Sequence, residues 1–524
     1  MSVRVRFAPS PTGRMHVGAL RTALYDSLFA RSQTGTNILR IEDTDRGRYS
    51  AEAEAEFIEA MYWAGIEFEE GPHVGGTHAP YRQSERKTAG IYEPLIRELL
   101  EKDLAYKAFE TSEELDEMRQ FQQINKQPVG YYGGEWRDAS PKKVEEAEQA
   151  GRPFVIRLRM PRDKRLTMED VVRGRIEWDS NDVDDPVLIK ADGMPTYHFA
   201  AMVDDHLMGI THVIRGEEWI SSCPKHIWLF DAFGWERPIF VHCPVIVGKD
   251  GKKLSKRHGA TSVLDYRAMG FLPSALKNFV ALIGWAPGDD REVLSDEELV
   301  SAFSLNGLQP SPGRFDFEKL LWMNGHHIRS RTVDDLLREL EEYVSRDETA
   351  AFWRGYEPDP GEPIAVKCKP HEVPGYLGLL RAAIASDRVY AAQVLALEQE
   401  RADTLAAFGE ACAFFFYELP PMDEKAVEKW LKQDHVPLLL EFLIESLSSG
   451  TTADDEDSAS AEWCESLVRG FAEKHGFDKL GPVVHPTRVA LTGKTTGPGL
   501  FELMAVLGRT RMVKRLVRAT KLRP

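Results

Sequence analysis

Val3, Val5 and Phe7 alternate with polar residues, and this period of two predicts a short strand at the start of the chain. Residues 13–16 make a turn. From Val17 onward Leu20, Leu24, Leu28 and Phe29 recur at helical spacing. Residues 37–41 read as a second strand, closed by Glu42, Asp43, Thr44 and Asp45. A helix over about 51–64 follows, stopped by Gly65. Strand, helix, strand and helix in this order imply a right-handed parallel βαβ unit. Ligands of such sheets collect at the carboxyl ends of the strands, where residues 8–13 and 42–45 both fall.

The alternation breaks between residues 101 and 194. That stretch holds charged helices, the patch Tyr131-Tyr132-Gly133-Gly134 and short strands such as 154–160, and it reads as a module inserted between two halves of one sheet. The α/β pattern resumes over 195–205, 211–219, 225–233 and 239–247. After residue 257 the pattern turns helical, with breaks at Pro287-Gly288 and 309–313, and from Gly325 it is nearly all helix. The acidic, Ser/Thr-rich stretch 448–460 reads as a disordered loop or linker. No internal repeat is present.

Length and composition narrow the class. At 524 residues several domains are expected, and 43% apolar with 28% charged residues is ordinary for a soluble globular protein. The five cysteines (Cys223, Cys243, Cys368, Cys412 and Cys464) are scattered and form no CxxC pair, so neither a disulfide framework nor a zinc ligand set is expected. The first residues lack an apolar stretch, no run approaches a membrane span, and a cytoplasmic protein is expected. A net charge of −17 argues against indiscriminate nucleic-acid binding but leaves room for a local basic surface. Residues 509–523 carry seven basic side chains and no acid, which suits either a solvated helix end or an RNA-facing surface.

Two distant segments carry candidate chemistry. His16 and Gly18 stand at the mouth of the first helix, after Pro9-Ser10-Pro11-Thr12-Gly13. An imidazole there can donate to a phosphate oxygen, and glycine admits a close ligand. A lone His-x-Gly also fits a plain turn. Lys253 and Lys256, on a glycine-flanked loop, can meet a triphosphate or simply face solvent. Glu42, Asp43 and Asp45 suit an ammonium or hydroxyl at the ligand edge, or helix capping by Thr44 or Asp45. Arg6 and Arg215 end two core strands and can read a planar carboxylate, or pair internally with Glu42 or Glu218. No GxGxxG is present, so a dinucleotide is not indicated.

The segment running from Arg6 through Pro9, His16 and Gly18 resembles the first signature of bacterial-type glutamyl-tRNA synthetases, which are class I aminoacyl-tRNA synthetases. So do Leu39-Arg40-Ile41-Glu42-Asp43-Thr44-Asp45-Arg46, Pro195-Thr196-Tyr197-His198 and Val213-Ile214-Arg215-Gly216-Glu217-Glu218-Trp219. Lys253-Leu254-Ser255-Lys256-Arg257 resembles the second class I signature, and Leu321-Trp322-Met323-Asn324-Gly325 and Gly499-Leu500-Phe501-Glu502-Leu503 extend the match into the tail.

The resemblance implies a multidomain α/β fold. A Rossmann-like parallel sheet (1–100 and 195–247) is split by an inserted α+β acceptor-binding module (101–194). A stem-contact domain (248–325) and two helical anticodon-binding subdomains (326–420 and 421–524) follow. It implies that His16, Gly18, Glu218, Trp219, Leu254 and Lys256 bind ATP, with His16, Lys253 and Lys256 catalytic. Arg6, Ala8, Ser10, Glu42, Tyr197 and Arg215 would surround L-glutamate. Arg401, Arg488, Gly497, Pro498 and Leu500 would touch the anticodon of tRNA(Glu), and Pro9, Ala19, Lys253 and Arg257 belong to the signatures. Mg²⁺ would accompany ATP, and the protein would act as a monomer. Three departures stand out. Ala19 replaces the class histidine, Ala201 stands where some relatives carry asparagine, and residues 105–110 lack the cysteines with which some relatives bind zinc, so no zinc is expected. The implied activity is glutamate–tRNA ligation through a glutamyl-adenylate. The remaining readings are an enzyme that also charges tRNA(Gln) and, from another class, a small-molecule nucleotidyltransferase.

Overall fold

The computed structural model describes residues 2–254, 262–358, 364–449 and 458–522. They form two compact units, one of residues 1–263 with 276–316 and the other of 264–275 with 317–524. The stretch 248–325 is therefore divided between the two units, and residues 326–524 fall within one.

The first unit is organised on parallel strands. β1 (Arg4–Phe7) pairs in parallel with β2 (Thr36–Leu39), with Phe7 opposite Leu39. Between them runs α1 (Val17–Ser32), and α2 (Ala51–Trp63) follows β2. Ser50 caps α2 by accepting the Ala53 N–H at 3.2 Å, so the capping reading for Thr44 or Asp45 does not hold. Gly65, at φ 70°, ends the run in the left-handed region that glycine tolerates.

The inserted stretch contributes β3 (Ala105–Ala108), β4 (Val155–Leu158), β5 (Arg165–Asp170), β6 (Gly174–Asp179) and β7 (Val187–Ile189). Strands β3, β4 and β7 make an antiparallel sheet of their own. The β5–β6 hairpin does not join it. It pairs at Asp170 with Phe240 of β9 (Ile239–Cys243), itself parallel to β8 (His212–Gly216). Thr211 N–H donates to the Arg4 carbonyl at 2.9 Å and sets β8 beside β1. Two strands from within 101–194 thus extend the parallel sheet, which the sequence pattern assigned wholly to flanking segments. The short β10 (Ile246–Val247) pairs in parallel with β11 (Gly313–Arg314).

Helices Tyr197–Leu207 and Cys223–Phe233 cover this sheet, and their Phe199, Met202, Val203, Ile227 and Phe230 are buried against Phe240. Full burial of such side chains is worth about 1.5–3 kcal/mol each, which fixes the strand ends that carry the site. The described residues of the second unit are helical. Its longest helix, Leu500–Thr520, kinks at Gly508, whose φ is 74°. No helix among the described residues is long and apolar enough to cross a membrane. The acidic stretch 448–460 lies largely outside the described residues.

Candidate active site

A cavity of about 810 Å³ opens at the carboxyl ends of β1 and β8. The α1 N-terminus forms one wall. His16 is its N-cap, with extended backbone, and its Nδ1 accepts the Ala19 N–H at 3.1 Å. An imidazole here does what Ser or Asp does in most helices: it satisfies one of the unpaired first-turn amides. That contact also fixes the tautomer. Nδ1 accepts, so Nε2 carries the proton. Loss of solvation, and next the Lys253 ammonium, lower the His16 pKa and keep the ring neutral. Gly18 is needed beneath it, since a Cβ there would stand 3.0 Å from His16 Nδ1.

Lys253 and Leu254 form a facing part of the wall. Lys253 bridges to Val247, and Leu254 N–H donates to the Ile246 carbonyl at 2.9 Å. Residues 255–261, with Lys256 and Arg257, lie outside the described residues. The chain re-emerges at Ser262, which bridges to His16, and Val263 N–H donates to the Met15 carbonyl at 2.9 Å. The described residues on either side of 255–261 thus stand at the cavity wall and beside the histidine.

Arg6, Ala8, Glu42, Tyr197 and Arg215 line the other end. Beneath them Arg40, fully buried, pairs with Asp205 at 2.7 Å and with Glu42 at 2.9 Å. Arg6 Nε donates to the same Asp205 at 3.0 Å, so its internal partner is neither Glu42 nor Glu218. Burial opposes the charge on Asp205, but Arg6 and Arg40 outweigh it and hold the carboxyl below its ordinary range. Burial raises the pKa of Glu42 despite Arg40, leaving a carboxylate that a ligand ammonium would stabilise.

Arg215 has no carboxylate among its hydrogen-bond partners. Its Nε donates to His242 Nε2 at 3.0 Å, its Nη2 to Cys223 Sγ and His226 Nδ1 at 3.2 Å each, and its Nη1 to Tyr197 Oη at 3.3 Å. Four of the five guanidinium N–H groups are thus engaged by neutral groups, leaving one on Nη1 at the cavity. Trp219 closes this end, its ring 4.3 Å from that of Tyr197.

Five cationic side chains (Arg6, Arg14, Arg21, Arg215 and Lys253) and two carboxylates (Glu42 and Glu218) line the cavity. In a chain of net charge −17 this is a local reversal of sign, suited to anionic ligands. Of the other expected site residues, Gly18, Ala19, Glu218 and Trp219 line the cavity. Pro9 is buried in the preceding turn, where its carbonyl accepts the Glu42 N–H at 2.9 Å. Ser10 is exposed and outside the lining, and Ala201 is buried in the core.

Residues 2–322 match the family described as tRNA synthetases class I (E and Q), catalytic domain, and residues 365–520 match an anticodon binding domain. The chain belongs to the class I tRNA synthetases of the E and Q group. A glutamate–tRNA ligase from Thermus thermophilus is 41% identical over 519 residues, which is 99% of each chain. One from Clostridioides difficile is 38% identical over 524 residues, covering 98% of each. A solved glutamate tRNA ligase from Elizabethkingia meningosepticum, at 35% identity, covers all of both chains with a TM-score of 0.84.

In this class I synthetase the second unit gathers the tail residues singled out from sequence. Arg401 Nη1 donates to the Gly497 carbonyl, and Arg488 Nη1 donates to the Pro498 carbonyl at 2.7 Å. Leu500, buried, begins the next helix. Glu398 lies 3.4 Å from Arg401, and burial raises its pKa to about 7 despite that arginine.

The basic run 509–523 is divided: Lys514 and Lys521 are exposed, whereas others turn inward. Arg515 is buried and donates to the carbonyls of Leu491, Phe414 and Tyr417 at 2.9, 2.8 and 2.6 Å. Arg518 reaches the Pro420 carbonyl at 2.6 Å, Lys514 pairs with Glu418 at 2.8 Å, and Arg511 stacks over Tyr390. Arg515 thus closes the ends of two helices inside the unit. Sequence reasoning also missed Asp205, Arg40, His242 and Asp170, which touch the site from below. For Arg40 and His242 the available signal was a polar residue beside or within an apolar strand, whereas Asp205 lies on a helix and Asp170 ends a polar strand.

Proposed function

We propose that this chain is a glutamate–tRNA ligase that activates L-glutamate with ATP and transfers it to the 3′-terminal adenosine of tRNA(Glu). The observation that carries the reading is the shared cavity. His16, Gly18, Lys253 and Leu254 stand at one end of it, and Arg6, Glu42, Tyr197 and Arg215 at the other.

ATP lies along the α1 N-terminus with its phosphates between His16 and Lys253, and Lys256 joins them from the loop. Glu218, Trp219 and Leu254 border the nucleoside. Glu42 faces the substrate ammonium, and Arg6 and Arg215 face its carboxylates, with Ala8 and Ser10 in the adjoining turn. The α-carboxylate attacks the α-phosphorus and pyrophosphate leaves. The nucleophile is already anionic, so no general base is required. Charge crowds on the α-phosphoryl oxygens, where His16 Nε2–H and the lysine ammonium groups stabilise it. A ribose hydroxyl of the tRNA then attacks the mixed anhydride. Glutamine is rejected because its amide leaves a buried guanidinium underpaired.

Among the described residues no group of three or more His, Cys, Asp or Glu side chains is placed to hold a metal ion. Mg²⁺ accompanying ATP would supply further charge neutralisation beside His16 and Lys253. Arg401, Arg488, Gly497, Pro498 and Leu500 face the anticodon. One chain carries both an activation cavity and an anticodon unit, which fits a cytoplasmic monomer.

ATP–pyrophosphate exchange with and without tRNA(Glu), run with glutamate and with glutamine, tests the reading together with charging of both purified tRNAs. Glutamate-dependent exchange and charging of tRNA(Glu) are expected. Exchange with glutamine alone, or nucleotidyl transfer indifferent to amino acid, would overturn it.

A further inference from the structure

Behind Arg215 lies a chain of side chains for which the activation chemistry has no direct use. Asp170 ends β5 and is buried. Its Oδ1 accepts the N–H groups of Val172 and Arg173 at 2.9 and 2.8 Å, and its Oδ2 accepts that of His242 at 3.0 Å. Oδ2 also lies 2.7 Å from His242 Nδ1. Burial opposes the Asp170 charge, but the His242 hydrogen bond and the backbone amides hold its pKa below the usual carboxylate range. An ionised carboxylate only accepts, so Nδ1 of His242 must carry the proton. His242 Nε2 is therefore a bare acceptor, and it is where Arg215 Nε–H donates, at 3.0 Å. The arginine side of the pair requires the same tautomer, because a guanidinium has no acceptor to offer.

We propose that Asp170 and His242 are positioning residues for Arg215: the carboxylate fixes the imidazole tautomer, and the imidazole turns the guanidinium so that Nη1 faces the glutamate carboxylate. This rests on the reading of the cavity as the glutamate site. The arrangement solves a specific difficulty. A carboxylate on Arg215 itself would compete with the ligand for its N–H groups, and a guanidinium with no partner would not hold its rotamer. Placing a neutral imidazole between the two charges keeps Asp170 as a distant counter-ion and leaves the direct pairing to the ligand. His226 completes the frame. Its Nδ1 lies 3.2 Å from Arg215 Nη2, and its Nε2 lies 3.0 Å from His198 Nδ1.

Asp170→Asn is close to isosteric. Oδ1 can still serve the two turn amides, but the Nδ2 donor then meets both the His242 backbone N–H, losing that contact, and Nδ1, forcing the ring proton onto Nε2, against Arg215 Nε–H. In the tRNA-dependent exchange assay this variant should raise the KM for glutamate about tenfold or more. Its kcat should stay within about threefold, and its KM for ATP within about twofold. His242→Gln keeps an acceptor oxygen near the Nε2 position and should retain a KM for glutamate well below that of His242→Phe. This second pair keeps the test decisive where Asp170→Asn folds poorly. An unchanged glutamate KM in Asp170→Asn, or equal damage in His242→Gln and His242→Phe, overturns the positioning role while the ligase reading stands. Absence of glutamate-dependent exchange in the unaltered chain overturns both.

Discussion

The Nδ1 of His16 accepts the backbone N–H of Ala19 at 3.1 Å, so one imidazole both caps α1 and aims Nε2–H into the cavity. The two tasks separate by mutation. His16→Asn retains a capping oxygen and loses the far donor. It should melt at the wild-type temperature and lose roughly 10²-fold in the rate of glutamate activation. His16→Ala should lose the same rate and, in addition, about 1 kcal/mol of stability. Wild-type activity in both variants, with only the melting temperatures differing, would assign the ring to capping alone.

Lys253 depresses the His16 pKa, second to loss of solvation. Capping needs Nδ1 unprotonated: a proton there opposes the Ala19 N–H and releases the ring from the pose that aims Nε2–H into the cavity. Activity therefore falls when His16 gains a proton on the acid side. Lys253→Met removes a positive neighbour, which raises the His16 pKa toward its ordinary value of 6.5. The acid limb of the kcat/KM profile should move to higher pH, in addition to any loss of rate. An acid limb that stays in place would show that the lysine and the ring do not share one electrostatic site.

Glu398 has its pKa raised to about 7 by burial, against 4.5 for the free group. The folded chain holds this proton more tightly than the unfolded chain does. The contribution to stability is thus fully present below about pH 4.5 and is lost as pH rises through about 7. Glu398→Gln stays neutral throughout. It should match the wild type near pH 4.5 and exceed it by roughly 3 kcal/mol at pH 8 in urea unfolding of the helical unit. A difference that does not grow with pH would mean that Arg401, 3.4 Å away, already keeps the carboxylate charged.

Arg515 donates to three helix-end carbonyls from a buried position, and burial lowers its pKa to about 10. Arg515→Met removes the donors and strands those carbonyls. The loss should be several kcal/mol, of order 3–5, read as a lowered urea midpoint and faster proteolysis of the helical unit. If tRNA binding falls while the urea midpoint holds, the basic run belongs to an RNA surface after all.

Much of the His16 end of the cavity was legible because its information is local. A strand, a Pro/Gly turn and a helix carrying His16 at its first cap are contiguous in the chain, and helical spacing from Val17 sets the wall of the cavity. The other end was legible in Arg6, Glu42, Tyr197 and Arg215, each at or near a strand or helix terminus. Their supports were not. Asp205 and Arg40 are 165 residues apart, and only the fold brings their charges to 2.7 Å. The inward turn of Arg515 and Arg518 was hidden for a similar reason. Their partners are main-chain carbonyls, which no pattern of side chains reveals. Ser10 shows the limit of motif transfer: its neighbours Ala8 and Gly13 line the cavity while its own side chain turns to solvent.

The β5–β6 hairpin gives the inserted stretch a second attachment, because Asp170 at the end of β5 pairs with Phe240 and also grips His242. Excising residues 101–194 and rejoining the sheet would therefore also remove the carboxylate that holds His242 behind Arg215. The excursion returns to the sheet it interrupts, so one wall of the cavity is built jointly by the sheet and by its guest.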